Sequence, residues 1–282
     1  MNELLKAIQH NNGEFPEEQL KEIINRKEEF IPELLHILKN AMEHYEDIIE
    51  DRDYFAHIYA CFLLAQFKEV KSISLIIDLV SLPDEIPDDM FGDLLTEELH
   101  KILASVCGGD TQSIKRLVED SSVNEYVRCA AIKSFIVLLG EGVISQSEVV
   151  EYYKSLYEGK LERKFSQAWN ELVCSSCEAG PNELYEYIKK AYEDNLVEDD
   201  FIEFEEVNEA IKIHDSEKFP NLKNEGYAFI EDTIAELGCW VCFRKDTAKD
   251  KPQHIMQSSK SNKGKKKNKK KQVKATKKKQ RK

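Results

Sequence analysis

The chain has 282 residues, 41% of them hydrophobic, enough for one large or two modest cored domains. Its seven cysteines are scattered and odd in number, which argues against a disulfide framework, and no run approaches the ~18 apolar residues of a membrane span. The net charge of −13 hides two opposite parts: 17 Lys or Arg against two acidic residues from Lys245 onward, and 23 against 51 before it.

Few glycines, few prolines and almost no alternation of β-branched residues predict an all-α class. Residues 3–10 read as a short amphipathic helix, stopped by Asn11-Asn12-Gly13. Pro16 opens a second helix with Leu20, Ile23 and Ile24 inside. Pro32 reads as the first turn of a third, which carries Leu34, Leu35, Ile37, Leu38 and Met42. The stretch 54–80 organises the rest. Its first helix, with Phe55, Ile58, Tyr59, Phe62 and Leu63, is apolar almost all round and must be covered on every side. A corner at Lys68-Glu69 leads to a second helix with one apolar stripe, Ile73, Ile76, Ile77 and Val80.

An acidic, proline-bearing loop is expected over 81–91, then a helix over 94–106 stopped by Gly108-Gly109. Residues 113–120 form the next. Asn124 starts a long helix with Val127, Ala130, Ala131, Phe135 and Leu138 inside and Arg128 and Lys133 outside, broken at Gly140-Glu141-Gly142. Helices over 145–157, 162–177 and 182–192 follow, then a weaker one over 207–213 and a terminal apolar helix within 227–243. Long helices starting near 54, 94, 125 and 162, each with a shorter return helix, match the period of HEAT or armadillo repeats, so an α-solenoid is predicted. The domain plan is a repeat domain over 1–213, a linker and terminal helix over 214–244, and a disordered Lys-rich tail over 245–282.

The phrases DYFAHIYACFLLAQF, SLPDEIPDDMFGDLLTEELHKILAS, NEYVRCAAIKSFIVLLGEG and AWNELVCSSCEAGPNELYEYIKKAYEDNLV resemble the bacterial family called domain of unknown function 1186, over most of 1–213. The resemblance implies HEAT-like helical repeats and no established activity. Many members end in a SEC-C zinc module. This chain has no cysteine after Cys242 and a lysine-rich tail in its place, so that zinc site is not carried over.

Two C-x-x-C pairs, Cys174 with Cys177 and Cys239 with Cys242, are candidate zinc ligands, since four thiolates satisfy a tetrahedral ion; one pair alone could exchange disulfides. Both lie in apolar runs, where i, i+3 cysteines serve as small hydrophobes, and packing is the preferred reading, with no cofactor expected. Asp53, His57 and Cys61 share one helix face and could activate a thiolate, but no pocket or oxyanion loop accompanies them. The acidic loop 83–89 suggests calcium by composition and lacks the ligand alternation of an EF-hand; His100 reads as a packing histidine. The tail offers charge without aromatics: Lys265, Lys266, Lys267, Lys269, Lys270, Lys271, Lys277, Lys278, Lys279, Arg281 and Lys282 are candidate contacts for phosphates, for the ribosome, or for the acidic body of the same chain. In a eukaryotic cell such a run could also direct nuclear import; otherwise a cytoplasmic location is expected.

Three readings follow. The first is a non-enzymatic α-solenoid interaction or scaffold protein, binding a protein or peptide on its helical surface, with the tail as an electrostatic anchor. The second is a nucleic-acid- or ribosome-associated protein working through the tail. The third is a metal- or thiol-dependent enzyme.

Overall fold

The computed structural model describes residues 2–214 and 219–243, and residues up to Phe243 form one compact unit. The tail lysines named above lie outside the described residues. The chain is an all-α solenoid, with no strand among the described residues beyond an isolated bridge between His10 and Tyr54.

Helix α1 (Glu3–Ala7) starts where the Asn2 side chain accepts the Leu4 N–H, and packs on α2 (Glu17–Asn25). Helix α3 (Lys27–Glu43) contains Pro32 in its interior rather than at its first turn. Helix α4 (Tyr45–Glu50) leads to α5 (Ala56–Gln66), where ten successive residues from Ala56 to Ala65 are buried. Helix α5 ends in two bonds, Glu69 N–H to Leu64 O and Lys68 N–H to Ala65 O, with Lys68 left-handed at φ 54°. This is the Schellman arrangement, and it makes the predicted corner. Helix α6 (Ser72–Val80) returns with Ile76, Leu79 and Val80 buried.

The acidic loop expected over 81–91 is partly helical: α7 (Ile86–Phe91) buries Pro87, Met90 and Phe91. Within it Asp88 accepts a bond from the Asn124 side chain at 2.6 Å. The helix expected over 94–106 is divided into α8 (Leu94–Glu97) and α9 (Leu99–Val106). Helix α10 (Gln112–Glu119) precedes α11 (Glu125–Gly140), which Asn124 caps. Ser145 and Glu148 form a capping box at α12 (Gln146–Ser155), and a wide turn, Leu156–Lys160, ends it with Gly159 at φ 137°. Helix α13 (Gln167–Ala179) starts five residues later than expected, because Glu162 is drawn back to Arg128. Pro181 opens α14 (Pro181–Glu193), and α15 (Phe204–His214) follows.

Helices α3, α5, α9, α11, α13 and α15 pack side by side as one layer; α6, α10, α12 and α14 form the second, each against members of the first. The remaining segment does not form the single terminal helix expected. A 3-10 turn, Phe219–Glu225, lies on α11; residues 227–232 form neither helix nor turn, with Asp232 extended at φ −144° and ψ 95°; then come α16 (Thr233–Gly238), which Asp232 caps, and a 3-10 turn, Val241–Phe243. Helix α16 packs on α5 and α2, so the chain doubles back from the α11 end of the stack to its beginning.

Arg128 corrects the sequence reading most plainly. Its spacing predicts an outside position, and it is buried, at 2% side-chain exposure. Its Nε donates to Val118 O at 2.9 Å, and its two terminal nitrogens hold both oxygens of Glu162. A guanidinium survives burial when a carboxylate faces it in bidentate fashion, and here Glu162 does so while Val118 O takes a third of its five donors.

Candidate peptide-binding face

The doubled-back segment crosses one face of the first layer, and its backbone is held by side chains. Thr233 N–H donates to Gln66 Oε1, Ile230 N–H to Ser105 Oγ and Phe229 N–H to Glu141 Oε1, each at 3.0 Å. The three acceptors stand at or just beyond the last turns of α5, α9 and α11. Each helix therefore offers one acceptor at its C-terminal end to a non-helical stretch of chain.

Charge adds side-chain reading. Lys68 Nζ is 3.2 Å from Glu231 and lies 4.9 Å from the Phe229 ring centroid. Lys101 bridges Glu98 of its own turn and Glu236 of α16, at 3.0 and 3.2 Å. Lys133 stands 5.9 Å from the Tyr227 ring centroid. Such contacts between a cation and an aromatic face contribute about 0.5–1 kcal/mol each when exposed. Burial pushes the Glu98 carboxyl above its usual value, with Lys101 opposing.

Two features of this face are locally unfavourable. A carboxylate at a helix C-terminus opposes the dipole, yet Glu141 caps α11 there, its side chain 8% exposed. Its partners, Phe229 N–H and Lys223 at 2.7 Å, both belong to the doubled-back segment. Lys68 adopts a left-handed conformation that a side chain disfavours, and the same residue reaches Glu231 and Phe229. Gly140 completes the fit: a Cβ there would meet Tyr227 O at 2.8 Å.

Beyond α16 the contacts become aromatic. Trp240 lies against Phe55 and Phe62, with centroids 6.2 and 5.7 Å away. Phe243 meets Phe15, Phe55 and Tyr59. Between α2 and the segment an open cleft of about 300 Å³ is lined by Lys21, Ile24, Gln66, Asp232 and Ile234.

The residues singled out in sequence fall elsewhere. Cys174 and Cys177 lie on α13, while Cys239 and Cys242 end the segment beside α5; α9 and α11 separate the two pairs in the layer. Burial pushes the Cys174 thiol up to about 12, with Glu171 adding to it, and raises Cys242 as well. Among the described residues no group of three His, Cys, Asp or Glu side chains could hold a metal ion. His57 Nε2 donates to Met90 O at 2.7 Å, and its ring stacks on Tyr54. Burial pushes its pKa down to about 4 and pushes the Cys61 thiol up to about 12, the reverse of an activated pair. His100 is buried with its pKa pushed down to about 3 by burial and by Lys133 and Lys101. Glu171, beneath the start of the segment, is pushed up to about 7 by burial. No helix among the described residues is long and apolar enough to cross a membrane.

Sequence reasoning missed Gln66, Ser105 and Glu141. One local signal for them existed: an acidic residue between two glycines at the C-terminus of a helix, where the dipole disfavours it.

Comparison with known proteins returns relatives of the same length class. An uncharacterized protein of Chlamydia trachomatis is 39% identical over 240 residues, 84% of this chain and 94% of that one. One from Chlamydia muridarum is 38% identical over 241 residues, 84% and 95%. No solved structure matches. The family described as protein of unknown function DUF1186 matches residues 1–244, a span that takes in the whole doubled-back segment and stops before the lysine-rich tail. The chain belongs to that family.

Proposed function

We propose that this protein is a non-enzymatic interaction protein whose first-layer face, across α5, α9 and α11, binds protein segments. The observation that carries the reading is the row of three acceptors, Gln66, Ser105 and Glu141, which already holds a non-helical stretch of backbone. Recognition through the backbone needs a rigid scaffold, and the stacked helices provide one. The tail then acts as an electrostatic anchor. The family match ends at residue 244, which supports placing the shared function in the repeats.

A photo-crosslinker placed at Lys101, within the face, tests this. The full chain and a chain ending at Arg244 are exposed to lysate at physiological salt, with and without nuclease. A defined protein crosslinked in all four conditions is the expected result. Crosslinks that vanish with the tail or the nuclease would remove the reading. They would favour the second one, a nucleic-acid- or ribosome-associated protein, whose support is the charge of the tail, 17 basic residues against two acidic.

A further inference from the structure

We propose that the occupant of this face is an extended acidic peptide with two aromatic residues in i, i+2 register, and that residues 227–233 are the chain's own copy of that ligand. The inference rests on the interaction reading above and specifies its partner.

The segment reads Tyr227-Ala228-Phe229-Ile230-Glu231-Asp232-Thr233. Its two aromatic rings each meet a lysine, Lys133 and Lys68. Ile230 is wholly buried, and Glu231 pairs with Lys68. The residues preceding the tail hold 51 acidic side chains against 23 basic. The face carries Lys68, Lys101 and Lys133 beside Glu98 and Glu141, and it reads charge by position: Lys68 takes Glu231 and Lys101 takes Glu236, while Glu141 takes Lys223 before the aromatic pair, so carboxylates are favoured from 231 onward and a lysine put there is not. The three backbone bonds are indifferent to side-chain identity, so any extended chain of the right pattern can make them.

The self-supplied ligand is also imperfect. Thr233 is fully buried, and its hydroxyl has no hydrogen-bond partner. A buried hydroxyl left unmet weakens the docked state, and an isosteric valine would not carry that penalty. A competing segment with an aliphatic residue at this place therefore binds better than the resident one. The unfavourable placements of Lys68 and Glu141 are accounted for in the same way, since both side chains face the ligand and neither helps its own helix.

The test uses the full chain and a fluorescent peptide copying residues 226–236, in its native form and as Thr233→Val. In the protein, Ile230→Pro removes the N–H given to Ser105 and leaves the face intact. Glu231→Lys is a second, milder variant at an exposed position and does not threaten folding. Far-UV circular dichroism confirms retained helix, and hydrogen exchange over 227–234 reports release. The expected result is peptide binding at least tenfold tighter to Ile230→Pro than to the unaltered chain, about threefold tighter to Glu231→Lys, and about tenfold tighter for the Thr233→Val peptide than for the native one. A peptide with its carboxylates replaced by lysines should not bind.

Released amides without peptide binding would overturn the proposal. So would unchanged amide protection in Ile230→Pro, equal binding of a scrambled peptide, or dimers formed by exchanged segments that ignore the peptide, which would name a second copy as the occupant. If the peptide fails while a defined protein still crosslinks at Lys101, only the ligand chemistry falls; if both fail, the interaction reading falls with it.

Discussion

Helices α5 and α11 are alike in sequence and place. Both are apolar nearly all round, both stand between two first-layer neighbours, and both end in the same Schellman bonds, α11 through Val143 N–H to Leu138 O and Gly142 N–H to Leu139 O. They differ in where their polar groups go. Helix α5 buries three titratable side chains, His57, Tyr59 and Cys61, all held uncharged by burial, and ties His57 to one neighbour only, through Nε2 to a backbone carbonyl of α7, with Nδ1 left unmet. Helix α11 buries Arg128, which holds the end of α10 and the connection before α13, and its far end holds the doubled-back segment through Gly140 and Glu141. The first is a packing element and the second a joint. A wholly apolar helix gains its place from area alone; a helix with a few satisfied polar groups also fixes which neighbours it has.

That contrast is broken most sharply at Arg128. Arg128→Met is expected to lower stability by about 3 kcal/mol, because the Glu162 carboxylate and Val118 O lose their donors together. Arg128→Met with Glu162→Leu should recover most of it. Urea unfolding decides, and a single-variant loss under about 1 kcal/mol would deny α11 its special role.

Acid separates the two helices next. His57 is held near pH 4 in the fold against 6.5 unfolded, so the unfolded chain takes up a proton first and stability falls as pH drops from 6.5 to 4. The loss through this group reaches about 3 kcal/mol at pH 4. Glu162 behaves differently: Arg128 holds its carboxyl below the usual range, so its contribution is present above pH 4.5 and lost only as pH falls through that lowered value. Measured against the unaltered chain, His57→Gln should remove part of the slope in the upper window, and Arg128→Met should alter only the lower one. His100 and Glu171 titrate alike in all three proteins and cancel in the comparison.

Gly140→Val sharpens the joint. Its side chain would enter the space of Tyr227 O and of Leu222, 3.2 Å from the Cβ position, at a cost of about 1–2 kcal/mol. Hydrogen exchange should then rise over 227–230 while α5 stays protected. The smallest effect lies at the matching end of α5. Lys68→Gly relieves a left-handed lysine and should raise the melting temperature slightly, by about 0.5 kcal/mol of stability, while loosening Glu231. A fall in melting temperature would mean that the contacts of Lys68 with the segment outweigh its strain.

Helix class, repeat period and most turns were legible in the sequence, because they rest on local rules. Apolar residues at helical spacing, Asn124 and Ser145 at helix starts, and Gly142 at a helix end act within a few residues of themselves. Errors came where a distant partner overruled the local rule. Arg128 looked like a surface residue until Glu162, 34 positions on, took its charge. Pro32 looked like a helix start, and α3 runs through it. Both cysteine pairs looked like packed small hydrophobes; Cys177 is buried on α13, but Cys239 and Cys242 are exposed, because the stretch around them forms short turns at the edge of the stack rather than a packed helix.

The candidate site was the least legible part, for the same reason carried further. Ile230 meets Ser105 across 125 positions and Thr233 meets Gln66 across 167. Helix periodicity is decided by neighbours three and four residues apart, so the amino acids alone settled that this chain stacks helices in pairs. Which face stays open, and which stretch of the same chain lies across it, was decided only in three dimensions, where hydrogen bonds and ion pairs join groups brought together by the stack.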